Sequence, residues 1–141
     1  MQLEVMDESG SLQYRLQADT MDHYPGDDRI ALTGPVMEVF SGKQPVWHIE
    51  SQTSELDDKA DTVHLLGEVV IRRHETREGR ELVVHTRDLV VIPRSRTAET
   101  RERAVIESGQ YTIEGVGMHA DFTSNRLRLD SRVRGRFDAA S

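Results

Sequence analysis

The sequence predicts an all-β fold of stacked hairpins, and three observations carry that prediction. One unit recurs along the chain: an alternating strand, a polar turn and a second alternating strand. Clusters of Pro, Gly, Asp, Asn and Ser punctuate the strands. No stretch of a dozen residues keeps apolar positions at i, i+3, i+4 and i+7, so a long helix has no support. Self-similarity at a fixed period marks a repeat architecture, and a two-residue period marks strands.

Residues 1–10 read as a flexible lead-in with a short turn near Val5–Gly10, residues 11–138 as a single domain, and 139–141 as a tail. The first predicted strand is Leu12–Met21. There Tyr14, Leu16 and Ala18 share one face, and Arg15, Gln17 and Asp19 the other. After Pro25-Gly26-Asp27-Asp28 comes Arg29–Phe40, with Ile30 and Leu32 inward. After Ser41-Gly42-Lys43-Gln44-Pro45 comes Val46–Glu55, with Trp47 and Ile49 inward. Asp57-Asp58-Lys59-Ala60-Asp61 leads to Thr62–Arg73, whose Val63 and Leu65, then Val69 and Ile71, share a face. Arg77-Glu78-Gly79-Arg80 leads to Glu81–Ile92, with Val84 and Thr86 on one side. Pro93-Arg94-Ser95-Arg96 precedes Arg103–Ser108. Gln110–Asp121 contributes Ile113 and Met118 to the interior. Beyond Thr123-Ser124-Asn125, the strand Arg126–Phe137 alternates most cleanly: Leu127 and Leu129 are flanked by Arg126, Arg128 and Asp130. One buried and one solvated face is the pattern of antiparallel sheet. Two such sheets facing each other would enclose a layer about 10 Å thick.

Glycines reinforce the repeat. Gly34 and Gly67 stand at matching places, two residues before Val36 and Val69, where a strand glycine predicts a bulge or a close backbone approach. Gly115-Val116-Gly117 is not a dinucleotide fingerprint, because it runs on into a strand and no helix follows to hold a pyrophosphate.

Composition narrows the function. Hydrophobic residues make up 36% of the 141 and aromatics 5%, which suits a narrow or incompletely closed core. Residues 1–61 hold 13 acidic against 4 basic residues, and 62–141 hold 12 against 14. The overall charge of −7 argues against general nucleic-acid binding. The basic second half leaves room for a local anion site, and 16 of the 18 basic residues are arginine, whose fork suits phosphate. Cysteine is absent, which excludes disulfides and thiolate chemistry. No apolar run reaches membrane-spanning length, and Met1-Gln2-Leu3-Glu4-Val5 does not read as a signal peptide.

Catalytic chemistry finds little support. The six histidines show no metal-ligand spacing, and no serine stands in a nucleophile elbow. Asp27-Asp28 and Asp57-Asp58 lie in turns, which leaves Glu38 and Glu50 as the candidate carboxylates for glycan hydrolysis, a reaction that needs two carboxylates across a cleft. No cofactor or metal is expected.

The ordered motifs resemble the LptC family, the periplasmic domain of the lipopolysaccharide transport bridge, within the OstA/LptA-like superfamily. The resemblance rests on Tyr14-Arg15-Leu16-Gln17-Ala18, Pro35-Val36 through Phe40, Pro45-Val46-Trp47, Val63 through Val69, Arg87-Asp88-Leu89, Thr97-Ala98-Glu99-Thr100, and Gly115-Val116-Gly117-Met118 through Val133. It implies a β-jellyroll of two facing antiparallel sheets, open as a groove along one side, with no enzymatic activity. Lipopolysaccharide would be accepted from the inner-membrane ABC transporter at the N-terminal edge and passed to LptA at the C-terminal edge strand by strand addition. Acyl chains would lie against the apolar interior: Leu16, Ala18, Ile30, Leu32, Phe40, Trp47, Ile49, Val63, Leu65, Val69, Ile71, Val84, Ile113, Met118, Leu127 and Leu129. The partner edges would be formed by Leu12 and Tyr14 at one end, and by Gly115, Leu127, Leu129, Val133 and Phe137 at the other. The family carries an N-terminal transmembrane helix that these residues lack, so the resemblance implies a periplasmic domain excised from an inner-membrane anchor. Two other readings stay open: a soluble LptA-like bridge protein that stacks end to end, and a structural β-repeat without lipid cargo.

Overall fold

A computed structural model of the chain describes residues 1–26, 28–57, 61–77 and 79–137. Their strands are β1 (Gln2–Met6), β2 (Leu12–Gln17), β3 (Thr20–His23), β4 (Arg29–Thr33), β5 (Val36–Ser41), β6 (Gln44–Asp57), β7 (Thr62–Arg73), β8 (Leu82–Ile92), β9 (Thr97–Ser108), β10 (Tyr111–Asp121) and β11 (Arg126–Phe137). A single 3-10 turn, Pro93–Ser95, joins β8 to β9. The tail 139–141, residue 138, Asp27, Glu78 and residues 58–60 of the expected Asp57–Asp61 turn lie outside the described residues.

The all-β class and the antiparallel pairing match the sequence reading, but the strands form one hydrogen-bonded sheet rather than two. Its order is β1-β2-β5-β6-β7-β8-β9-β10-β11, with β4 paired to β6 and β3 to β4. The sheet doubles over along a crease. Register breaks stack across the long strands, between Ser51 and Thr53, Leu65 and Glu68, His85 and Val90, and Val116 and Met118. A bulge inserts an unpaired residue and bends its strand, so aligned bulges bend a whole sheet. Gly34, Gly67 and Gly117 lie on this line with positive φ, as do Asp88 and Arg132. The matching of Gly34 with Gly67 seen in the sequence therefore has a structural cause. Both glycines turn their strands at the crease, which brings the two halves of the sheet face to face.

The crease also explains how the predicted strands divide. Leu12–Met21 becomes β2 and β3, breaking at Ala18-Asp19, where the Asp19 amide donates to the Thr33 carbonyl at 2.8 Å. Arg29–Phe40 becomes β4 and β5, breaking at Gly34-Pro35, where φ is +63° at Gly34 and proline supplies no donor. β6 then serves both, pairing with β5 through Gln44–Glu50 and with β4 through Thr53–Asp57. Thr62–Arg73 and Arg126–Phe137 stand as predicted, while the strand expected over Arg103–Ser108 starts earlier, at Thr97. Residues 1–10, expected as a flexible lead-in, contain β1, paired antiparallel with β2 from Gln2↔Gln17 to Met6↔Leu12.

Gly67 offers a clean test of the crease. Its φ is +75°, a Cβ there would meet nothing within 4 Å, and its amide donates to the Asp88 carboxylate at 2.8 Å. Gly67→Ala should therefore cost only backbone strain, about 1–3 kcal/mol, read as a lower urea midpoint. An unchanged midpoint would mean that the crease does not depend on this conformation.

Candidate functional site

The two halves meet around a core in which Trp47, Ile49, Leu65, Val84, Leu89, Val91 and Met118 are fully buried. At the N-terminal side they part, and an apolar cleft of about 540 Å³ opens between them. One wall comes from β1 and β2, where Leu3 stands opposite Leu16 and Val5 opposite Tyr14, with Met37 of β5 beside Leu16. The other wall is Met21, Ile30, Leu56 and Val63. Gln13, Asp57, Asp61 and Arg94 make a polar rim, and Arg94 lies 3.9 Å from Asp61. An apolar body with a charged lip suits an amphiphile: hydrocarbon inside, headgroup at the rim.

Opposite the crease, two turns hold the halves together. The Asn125 carboxamide accepts from the Trp47 indole at 2.9 Å, and the Asn125 carbonyl accepts from the Arg73 guanidinium at 2.8 Å. Arg73 also donates to the Arg80 carbonyl at 2.7 Å and lies 5.9 Å from the Trp47 ring. Phe122 meets Trp47 edge-on at 5.3 Å. Asn125 takes a left-handed backbone, φ +58°, which asparagine tolerates. At the second turn, the Tyr14 hydroxyl donates to the Pro93 carbonyl at 3.2 Å, and Arg96 donates to the Phe40 carbonyl at 3.2 Å. Burial pushes the Tyr14 phenol up to about 12, with nearby Arg96 opposing.

The outer face is mostly charged and polar, with Val70, Val90 and Val105 half-buried among the polar residues. A hollow of about 670 Å³ there is lined by Asp88, Glu99, Glu102, His119 and Asp130, among others. His119 already bridges Glu99 at 3.0 Å and Asp130 at 3.1 Å. Glu38 and Glu50 are on this face too, on neighbouring strands rather than across a cleft. Glu38 meets Arg15 at 3.6 Å, and Glu50 meets His48 at 3.6 Å.

The expected lipid-facing residues fall into several groups. Leu16, Ile30 and Val63 line the cleft. Leu32, Trp47, Ile49, Leu65, Val69, Ile71, Val84 and Met118 are shut inside the core, while Ala18, Leu127 and Leu129 are half-buried at its margin. Phe40 is buried but stands apart from the core. The register break between Val39 and Phe40 disturbs the alternation, and its ring lies 5.3 Å from the Arg15 guanidinium. Ile113 is 36% exposed. It shares the free end of the β10–β11 hairpin with Tyr111, Val133 and Phe137, where the Tyr111 and Phe137 rings are 4.9 Å apart.

The expected edges shift as well. Leu12 and Tyr14 belong to β2, which β1 covers, so the N-terminal edge is β1 itself. Gly115 is on β10, one strand in from the edge. A Cβ there would come within 3.1 Å of Leu129 Cβ, so glycine is what lets β11 sit down. Leu127, Leu129, Val133 and Phe137 are on β11, whose one partner among the described residues is β10. The sequence reading missed Met1, Leu3, Val5, Met21, Met37 and Leu56. The alternation of Gln2-Leu3-Glu4-Val5 was the local signal for Leu3 and Val5.

The profile of the LptC family, described as lipopolysaccharide-assembly, LptC-related, matches residues 1–138. The chain belongs to the LptC-related family. Among solved structures it is similar to LptH of Pseudomonas aeruginosa, described as the LptA-homologous periplasmic component of the conserved lipopolysaccharide transport device. That likeness has a TM-score of 0.65 at 11% identity, over 89% of this chain and 95% of LptH, and it shows a shared fold. Comparison with curated proteins returns no match. The jellyroll expected of an LptC relative is thus present, as one sheet folded over. No helix among the described residues is long and apolar enough to cross a membrane.

Proposed function

We propose that this LptC-family domain carries lipopolysaccharide in the periplasm. It would take the lipid from the inner-membrane ABC transporter at its N-terminal end and hand it to LptA at its C-terminal end. The observation that supports this reading most directly is the apolar cleft beside β1, open at the N-terminal side and rimmed by Arg94, Asp57 and Asp61. Hydrocarbon burial contributes about 0.8 kcal/mol per CH₂, so such a surface binds acyl chains without any catalytic group. At the far end, β11 offers a free edge for strand addition, with Val133 and Phe137 exposed beside it. Anchoring to the inner membrane through a preceding segment belongs to the same proposal.

Photo-crosslinking to lipopolysaccharide tests it. A photoreactive residue at Leu3, Leu16 or Met21 should capture the lipid, and one at Arg128 on the outer face should not. Equal capture at Arg128, or none anywhere in a folded protein, would remove the cleft as the lipid site.

A further inference from the structure

Behind the cleft lies a polar group with nothing to bond. Inward-facing residues of β4, β6 and β7 stand in rows. Ile30, Leu56 and Val63 are paired across these strands and form the inner wall of the cleft. Two residues deeper, about 7 Å along an extended strand, the next row is Leu32, Ser54 and Leu65. Their exposures are 1%, 0% and 0%. Among the described residues, the Ser54 hydroxyl has no hydrogen-bond partner. A buried hydroxyl left unpaired is unfavourable in the empty protein, and an alanine would occupy the same space without that cost.

We infer that Ser54 is a hydrogen-bonding subsite for a hydrocarbon chain that carries a hydroxyl or carbonyl oxygen part-way along its length. This rests on the lipid-carrying reading above and adds a chemical preference to it. A chain entering tail-first past Leu3 and Val5 meets the Ile30–Leu56–Val63 wall, with Met21 beside it. Methionine is flexible and fits irregular shapes, so this wall can yield to a guest. Once it yields, the guest reaches Ser54. A plain chain leaves the hydroxyl unpaired, whereas a chain with an oxygen at that depth pairs it. The subsite therefore discriminates between chains of equal apolar area.

Titration of the purified protein with myristate, and with myristates hydroxylated at successive carbons, tests this. Wild type should bind one positional isomer about two- to tenfold tighter than plain myristate, the worth of one hydrogen bond. Ser54→Ala should bind myristate as wild type does, lose the preference, and melt a few degrees higher when empty. Equal binding of all chains by wild type would overturn the inference and leave the lipid reading standing. So would a preference that survives in Ser54→Ala, or a Ser54→Ala protein that melts lower. If no chain binds wild type at all, both fall together.

Discussion

Trp47→Ala is expected to remove a large share of the stability of this domain. The indole is fully buried, meets Phe122 edge-on at 5.3 Å, lies under Arg73 and donates to Asn125 at 2.9 Å. Truncating a buried aromatic of this kind costs about 3–5 kcal/mol, against about 5–15 kcal/mol for a whole domain. The loss also reaches beyond packing, because Asn125 is itself buried and its carboxamide oxygen would lose its donor. Trp47→Phe separates the two effects. It keeps a ring against Phe122 and deletes the N–H, so it should cost about 1–3 kcal/mol. Urea unfolding of both variants measures this. A Trp47→Ala midpoint close to wild type would mean that the Asn125 turn does not hold the halves together.

Leu3→Asp should leave the fold intact and weaken lipid capture at least tenfold. Leu3 is 44% exposed on β1, and exposed substitutions usually change stability by about 0.5 kcal/mol or less. Yet Leu3 lines the cleft. Forfeiting its apolar contact is worth about 1.5–3 kcal/mol, or roughly ten- to a hundredfold in affinity, and a carboxylate in the path of a hydrocarbon adds to that. Gln2→Asp is the control. It adds the same charge one residue away, on the outer face, where Gln2 accepts from the Gln17 side chain at 3.1 Å. Lipid binding by thermal shift and photo-crosslinking compares the two. Equal loss in both variants would point to a general charge effect, and no loss in either would take β1 out of the lipid path.

Local pattern made the long strands legible. Thr62–Arg73 and Arg126–Phe137 keep apolar residues at every second position over most of their length, and the crease was foreshadowed by the matching of Gly34 with Gly67. The closure was not legible, because Trp47 and Asn125 are 78 positions apart and nothing in either neighbourhood announces the other. Alternation also cannot distinguish an inward residue walled into a core from one lining an opening. That is why Leu65 and Leu16 read alike in the sequence and differ in the structure. At Phe40 the reading failed for a local reason: a bulge changes which way the next side chain points, and bulges carry no reliable sequence mark outside glycine. β1 escaped notice because five residues are too few to establish a period against a polar background.

The folded-over sheet has ends of different kinds. At the N-terminal end the margin is broken into β1, five residues long, and β3, four residues long, one on each side of the crease. At the other end, β11 crosses the crease as one strand of twelve residues, bent at Arg132, where φ is +51°. An incoming strand meets twelve residues of β11, with a register shift at Arg132 to accommodate, against five on β1 and four on β3. The two ends of the domain therefore differ in outline: one margin is split across the crease and the other runs through it.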